Sequence, residues 1–361
     1  MNKKKICIVV TSLGNGGAEK FSTTLSFLLT NLGYDVHILI TKNILHYQYS
    51  GTLFNLELEL KKKKYNLNKI VVLNSYFKKN RFDLIIDNRT RVFFLKEFIL
   101  YKFVFKAKNI VAIVHSYNFK NYFPNTRFFV KVLYGGILKL IAVSKEIEDR
   151  IKETYKLTNV KHIYNPIDLS FTTKKADVEI ELYDKYILYF GRIEEKVKNF
   201  SLLLDAYSKS SLADQGVKLL ILGSGKDLEL VKTKVESLSL KNSVIFKPHM
   251  SNPYPYVKNA LFTVLTSRYE GFPLVLLETL ACGTPVISVN CKSGPKEVIK
   301  HGYNGLLVEN YNIDALERAM NSFIFNEKLY ETCKLNAKKS VQKFAIENIS
   351  KEWQQLISSN V

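Results

Sequence analysis

Paired cysteines are missing from this 361-residue chain. Its four thiols, Cys7, Cys282, Cys291 and Cys333, stand at none of the spacings that a zinc site or a disulfide framework uses, so free thiols in a reducing cytoplasm are expected. Also missing is any uninterrupted apolar run of the roughly 20 residues that a spanning helix needs. The N-terminal MNKKKICIVVTSLGNGG has a basic start, but its apolar stretch is short, β-branched and leads into a glycine turn. It reads as a first strand and not as a secretory leader. The chain has no sequence repeat and no low-complexity tract. Acidic residues are scarce in one half only: residues 1–165 hold 28 Lys and Arg against 11 Asp and Glu, net +17, whereas 166–361 hold 25 against 22, net +3. That asymmetry predicts an anionic partner for the first half: nucleic acid, a phosphate-rich substrate or an acidic membrane surface.

What is present suffices for two cores. Hydrophobic residues make up 47% of a chain long enough for two domains. KICIVVTS reads as a buried strand, LGNGG as a turn, AEKFSTTLSFLLTNLG as a helix closed by Gly33, and YDVHILI as the next strand. Further short β-branched runs follow at KIVVL, DLIID, NIVAIVH and LIAVS, with helical patterns such as KEIEDRIKETY between them. Such alternation predicts a parallel sheet with helices on both faces. The pattern breaks across NPIDLSFTTKKADVEIELYDK and restarts with YILYFGRI, KLLILGSG, VIFKP, FTVLTS, PVISV and GLLVEN. The boundary is expected near Asp168, giving doubly wound α/β domains at 1–168 and 169–345 and a closing helix at 346–361 that returns to the first domain. In doubly wound sheets ligands sit at the carboxyl ends of the strands, so two such domains can clamp a substrate in a central cleft.

Two loops are of interest on that ground. Gly14 to Gly17 follow the first strand and open a helix, where backbone amides meet a phosphate; a purely structural turn is an equal reading, because the dinucleotide spacing is incomplete. In the second half, LFTVLTS reads as a strand, RYEGFP as a crossover loop and LVLLETLACG as a helix. Glu270 precedes that helix and Glu278 lies inside it, eight positions on. Eight helical steps span about 12 Å, comparable to a sugar nucleotide.

EGFPLVLLE followed by TLACGTPVIS resembles the paired-glutamate segment of the retaining glycosyltransferases of family four, which have the GT-B fold. TSLGNGGAEK, VSKEI, YNPID, FGRIEEKVKNF and SGPKEVI resemble further motifs of that family in the same order, so the likeness covers most of the chain. It implies transfer of a hexose or N-acetylhexosamine from a nucleoside-diphosphate sugar, expected to be a UDP-sugar, with retention and without a covalent enzyme intermediate. Residue by residue, it implies that Glu270 accepts hydrogen bonds from the donor sugar and Glu278 from the ribose. Arg192 and Lys198 would stabilise the diphosphate leaving group; Lys196 competes with Lys198 because the stretch from Arg192 is slightly long. His115, ending NIVAIVH, would lie near donor and acceptor. Gly16, Gly17, Gly271, Phe272, Leu274, Ser293 and Gly294 would supply the backbone around the donor, whereas Pro273 has no amide to give and Glu297 reads as a structural helix acid. No cofactor and no metal are expected: no Asp-x-Asp pair ends a strand, and the arginine and lysine already supply positive charge.

The resemblance also implies that the first domain receives the acceptor. That domain carries KKKKYNLNK, RVFFLKEFILYKFVFKAK and NFKNYFPNTRFFVKVLYGG, in which basic and aromatic residues interleave. A peripheral enzyme on the cytoplasmic face of the plasma membrane is expected, held to anionic lipid by Lys61 to Lys64, Lys102, Lys106 and Lys108 and extending a lipid-linked glycan of a surface polysaccharide or glycolipid. The alternatives are another GT-B enzyme such as a phosphorylase, a transferase with a soluble acceptor, and a nucleic-acid-binding protein. The last is disfavoured because the basic residues form no recognisable nucleic-acid module.

Overall fold

The structure, a computed structural model, describes residues 3–14, 16–62, 69–105, 110–180 and 185–360. Asn15 of the glycine loop, and Lys63, Lys64, Lys106 and Lys108 of the basic stretches, lie outside the described residues. The chain divides into two compact units, Met1–Pro166 with Ile346–Val361, and Ile167–Ala345.

The first unit is built on β1 (Lys5–Val10), β2 (Asp35–Ile40), β3 (Thr52–Asn55), β4 (Leu84–Asp87), β5 (Ile110–Val114), β6 (Lys139–Ala142) and β7 (Val160–His162). They form one parallel sheet in the order β3-β2-β1-β4-β5-β6-β7. After Lys5 every residue of β1 is buried, as is all of β5, because helices cover both faces of a parallel sheet and leave no polar side. The Gly17–Asn31 helix lays Phe21, Leu25, Leu28 and Leu29 on the sheet along one stripe, and the chain then turns through Gly33 at φ +89°. The Ile346–Ser358 helix belongs to this unit, with Ile349, Trp353, Leu356 and Ile357 buried and the Trp353 ring 6.4 Å from that of Phe21.

KIVVL corrects the sequence reading. Expected as a strand, it opens the Lys69–Asn80 helix. Val72, Leu73, Tyr76 and Phe77 recur at helical spacing; Val72, Leu73 and Phe77 are buried, and the Tyr76 ring stacks on Phe54 at 3.9 Å. Packing along that stripe overrides the β-branched preference of Ile70, Val71 and Val72. The third strand of the sheet is instead Thr52–Asn55, too short to stand out in the sequence.

The second unit repeats the plan with β8 (Tyr186–Phe190), β9 (Lys218–Leu222), β10 (Val244–Lys247), β11 (Thr263–Leu265), β12 (Val286–Val289) and β13 (Gly305–Val308). Their parallel order is β10-β9-β8-β11-β12-β13. Both sheets are therefore doubly wound. Strand order reverses between β1 and β4 in one and between β8 and β11 in the other. At such a reversal the two flanking connections leave in opposite directions and open a crevice at the carboxyl end of the strands.

Below the reversal in the first unit lies a charged core. Arg89 bonds both oxygens of Asp87, from Nε and Nη2 at 2.9 Å each, and Nη2 also reaches Glu97 Oε2 at 2.8 Å. Arg91, 1% exposed, donates to Tyr134 Oη and to the carbonyls of Asp87, Arg89 and Ile113. Tyr101 donates to Asp87 at 3.0 Å. Burial raises the cost of the Asp87 charge, but Arg89 and Arg91 outweigh it and hold its carboxyl below the ordinary value. Replacing Arg89 by Met strands two buried carboxylates, so we expect about 3–5 kcal/mol of lost stability by urea unfolding. A loss under about 1 kcal/mol would mean that the guanidinium only offsets its own desolvation.

Candidate active site

In the second unit the loop after β8 and the loop after β11 run side by side. The first, from Gly191, contains one short helical turn, Glu195–Lys198; the second, from Thr266, leads into the Leu274–Ala281 helix. Lys198 Nζ lies 2.6 Å from Glu270 Oε1, and Ser267 Oγ donates to the same oxygen at 2.6 Å. Thr266 Oγ1 donates to the Lys198 carbonyl at 2.8 Å, and the Arg268 amide to the Val197 carbonyl at 2.8 Å. The buried Thr266–Ser267 pair thus holds the lysine by its backbone and the glutamate by its carboxylate. The two side chains are 19% and 14% exposed, shielded from bulk water yet open to a ligand. In the sequence Thr266 and Ser267 carry no stronger signal than two hydroxyls at a strand end, just before a loop acid.

This contact separates the two candidate lysines. Lys198 faces Glu270, whereas Lys196 is exposed on the outside of the turn. Arg192 is not drawn into the pair. It stands out from the loop, 63% exposed, with Glu194 at 3.7 Å as its charged partner among the described residues. Its backbone is held, since the Tyr189 hydroxyl donates to the Arg192 carbonyl at 2.8 Å. Burial, with the nearby Glu270 charge adding to it, keeps that hydroxyl protonated well above its ordinary range.

Two neighbouring loops brace the arrangement. Glycines 223 and 225, after β9, lie so close that a Cβ on either would sit 1.9 Å from the carbonyl oxygen of Gly191 or Ile193. The GSG run at the end of that strand lets two backbones touch. After β12, the Lys292 carbonyl accepts from the Glu270 amide at 2.9 Å and Ser293 Oγ donates to the Gly271 carbonyl at 2.6 Å. Ser293 and Gly294 have φ of +72° and +102°, and a Cβ at Gly294 would meet Pro273 Cδ at 2.3 Å, so only glycine fits there. Gly271 and Phe272 complete the loop, with Phe272 buried against Phe344, and Leu274 opens the helix, whose first amides have no carbonyl within the helix to bond. Glu278 lies inside that helix at 6% exposure. Burial and the Glu278 charge together push the neighbouring Cys282 thiol up to about 12.

The expected residues of the first unit gather at its own reversal. His115 follows β5, and its Nε2 bonds Asn88 Oδ1. Asn88 Nδ2 donates to the Ala18 carbonyl at 2.9 Å and to Ser22 Oγ, which turns Oδ1 toward the ring. The ring therefore carries its proton on Nε2 and presents Nδ1 as an acceptor. Burial, helped by Arg91, lowers the His115 pKa to about 3, so the imidazole is neutral. Phe21 meets it edge-on at 4.9 Å. Gly16 caps the Gly17–Asn31 helix, but the Glu19 carboxylate folds back over it, 2.0 Å from where a Cβ would stand. The Glu19 carboxylate thus lies beside the glycine turn for which the sequence left a phosphate site and a structural turn equally open. No group of three or more His, Cys, Asp or Glu side chains able to hold a metal ion occurs among the described residues.

Comparison with known proteins agrees with this layout. A model described as Glycosyltransferase Family 4 matches residues 15–171, and one described as Glycosyl transferases group 1 matches 170–340. The chain is 29% identical, over 94% of its length and 96% of the relative's, to N-acetylgalactosamine-N,N'-diacetylbacillosaminyl-diphospho-undecaprenol 4-alpha-N-acetylgalactosaminyltransferase of Campylobacter jejuni. It is 24% identical to the amylovoran biosynthesis glycosyltransferase AmsD of Erwinia amylovora, over 98% and 99% of the two chains. Its fold matches S. aureus TarM, solved with UDP and alpha-GlcNAc-glycerol, at a TM-score of 0.79 and 14% identity, covering 98% and 99% of the chains. With both sheets doubly wound, the glutamate loop at the second reversal and both halves matched, the chain belongs to the glycosyltransferases of family four and has the GT-B fold.

Proposed function

We propose that this chain transfers a hexose or N-acetylhexosamine from a UDP-sugar, with retention and without a metal, to a glycan carried on a lipid at the cytoplasmic face of the membrane, in the assembly of a surface polysaccharide or glycolipid. The observation that carries the proposal is the Lys198–Glu270 pair at the strand-order reversal of the second unit. A cation and a hydroxyl acceptor side by side match the two ends of a glycosidic bond to diphosphate. Lys198 takes charge that grows on the diphosphate as the bond breaks, and the exposed Arg192 swings in to share it. Glu270 takes the sugar hydroxyls and Glu278 the ribose diol. Gly271, Phe272, Leu274, Ser293 and Gly294 frame the donor with backbone. The neutral His115 presents Nδ1 as an acceptor. A lipid carrier is supported by the acceptor named for the Campylobacter relative, and UDP by the nucleotide bound to TarM.

Replacing Lys198 by Ala should lower turnover at least about a hundredfold, the loss of one fixed transition-state cation, with the fold intact. Excess EDTA should leave wild-type turnover unchanged; restoration by added divalent metal would refute the metal-free reading.

The glutamates divide the donor between them. Glu278→Gln should weaken UDP binding by calorimetry, whereas Glu270→Gln should spare UDP and weaken binding or transfer of the complete UDP-sugar. Equal loss of UDP affinity in both variants would contradict the assignment.

His115 is neutral when folded, with a pKa of about 3, and regains its ordinary 6.5 on unfolding. Below about pH 6.5 the unfolded chain binds the extra proton, so His115 lowers stability as pH falls from 6.5 toward 3. The urea midpoint of His115→Gln should therefore vary less than that of wild type between pH 7.5 and pH 5. Identical pH dependence would show that the imidazole titrates alike in both states.

A further inference from the structure

The aromatic-basic stretches of the first unit separate, once folded, into a core face and an exposed face. In the Phe94–Ile99 helix and the π-helical turn Leu100–Val104 that continues it, Glu97, Leu100, Tyr101 and Val104 are buried. In the Arg127–Tyr134 helix, Val130, Leu133 and Tyr134 are buried. Left outside are Phe93 at 70% exposure, Leu95 at 68%, Phe103 at 69% and Phe128 at 67%, with Val92 and Phe129 also exposed. These segments adjoin: Phe94 and Phe129 rings lie 4.4 Å apart, Phe128 and Phe129 5.7 Å, and Lys102 Nζ is 3.9 Å from where a Cβ on Gly136 would stand. The two segments thus pack side by side, each carrying exposed aromatic or aliphatic side chains. In the second unit Phe325 and Leu335 are as exposed, but each is the one such residue on its helix.

Charge on this face has one sign. Lys96, Lys102, Arg127 and Lys131 are exposed among the aromatics. Between Asn88 and Lys145 the chain has a single acid, Glu97, and it is 2% exposed with Arg89 Nη2 on its carboxylate at 2.8 Å. Lys96 Nζ lies 3.7 Å from the buried Glu97, whereas Lys61 and Lys62 of the Leu56–Lys62 helix pair more closely, with Glu57 and Glu59 at 2.9 and 2.7 Å. Exposed phenylalanines and cations on two segments that themselves carry no exposed carboxylate fit the boundary between anionic headgroups and acyl chains, where rings enter the apolar layer and cations stay with the phosphates. An extended nucleic acid would use cations but gives no apolar layer to accept four phenylalanine and leucine side chains.

We propose that the face formed by Val92–Phe103 and Arg127–Lys131 docks on an anionic lipid bilayer, with Phe93, Leu95, Phe103 and Phe128 entering the interface. This deepens the lipid-linked reading above and rests on it for its purpose, but its test does not. It also moves the contact away from Lys61 and Lys62, whose charge is matched by neighbouring glutamates.

The test is flotation of the full chain with vesicles of phosphatidylcholine alone or with phosphatidylglycerol, at low and at high salt. Wild type should float with the anionic vesicles and be released by salt, which screens the headgroup attraction. The triple variant Phe93→Ser, Phe103→Ser, Phe128→Ser should bind anionic vesicles at least tenfold more weakly, as should Lys96→Gln, Lys102→Gln, Arg127→Gln, Lys131→Gln. All seven side chains are exposed, so circular dichroism and urea midpoint should match wild type. Lys61→Gln with Lys62→Gln should bind as wild type does. Failure of wild type to float at low salt, full binding by the serine variant, or tighter binding to single-stranded RNA than to vesicles would overturn the proposal. The vesicles contain neither donor nor acceptor. Loss of transfer with flotation intact therefore counts against the enzymatic reading, and loss of flotation with transfer to a detergent-dispersed acceptor intact counts against the docking face.

Discussion

The second unit depends on one topological constraint: β8 and β11 are neighbours in the sheet although 72 residues separate Lys198 from Glu270. A helix that follows β8 must leave toward one side of the sheet, and the one that follows β11 toward the other. The first residues of both loops meet above these two strand ends. The polar contacts between these two loops follow: Thr266 to the Lys198 carbonyl, Arg268 to Val197, and Lys198 to Glu270.

Loops brought this close need backbones that can touch. Gly223 and Gly225 admit the carbonyls of Gly191 and Ile193, and Gly294 admits the Pro273 ring. Each supports the residue that carries charge: the first two hold the loop of Arg192 and Lys198, and the third holds the loop of Glu270. The pairing of Lys198 with Glu270 keeps two partly shielded charges from standing alone, so the site is compensated before any donor arrives.

The first unit applies the same reversal, between β1 and β4, to a different end. Asp87, Arg89, Arg91 and Glu97 close their charges on one another inside the protein, and that fixes the segment after β4 on which Asn88 sits. Asn88 sets the proton of His115, and Arg91 helps burial keep the ring neutral. The same burial takes Glu97, the one acid of a long basic stretch, out of the surface. An internal ion network and an external face of single sign thus have a common origin.

The sequence by itself determined the fold class, because alternating β-branched runs and amphipathic helices with glycine stops have few ways to bury both faces of each strand. It also set Glu270 and Glu278 apart as two acids in an otherwise apolar segment, whereas Lys198 and His115 entered through the family resemblance. Local pattern failed at KIVVL, where β-branched residues sit at helical spacing, and at Thr52–Asn55, whose four residues have too little pattern to read. It favoured Lys198 over Lys196 on the resemblance alone; the two lie on one short turn two residues apart, and the fold decides which of them faces Glu270. It could not find Thr266 and Ser267, since a hydroxyl becomes a positioning group only when a carbonyl or carboxylate from a distant loop arrives within hydrogen-bond reach. Which phenylalanines are core and which are surface was likewise decided by the tertiary structure. Tyr101 and Phe103 are near neighbours in the sequence, and only packing against Asp87 and the sheet separates the buried ring from the exposed one.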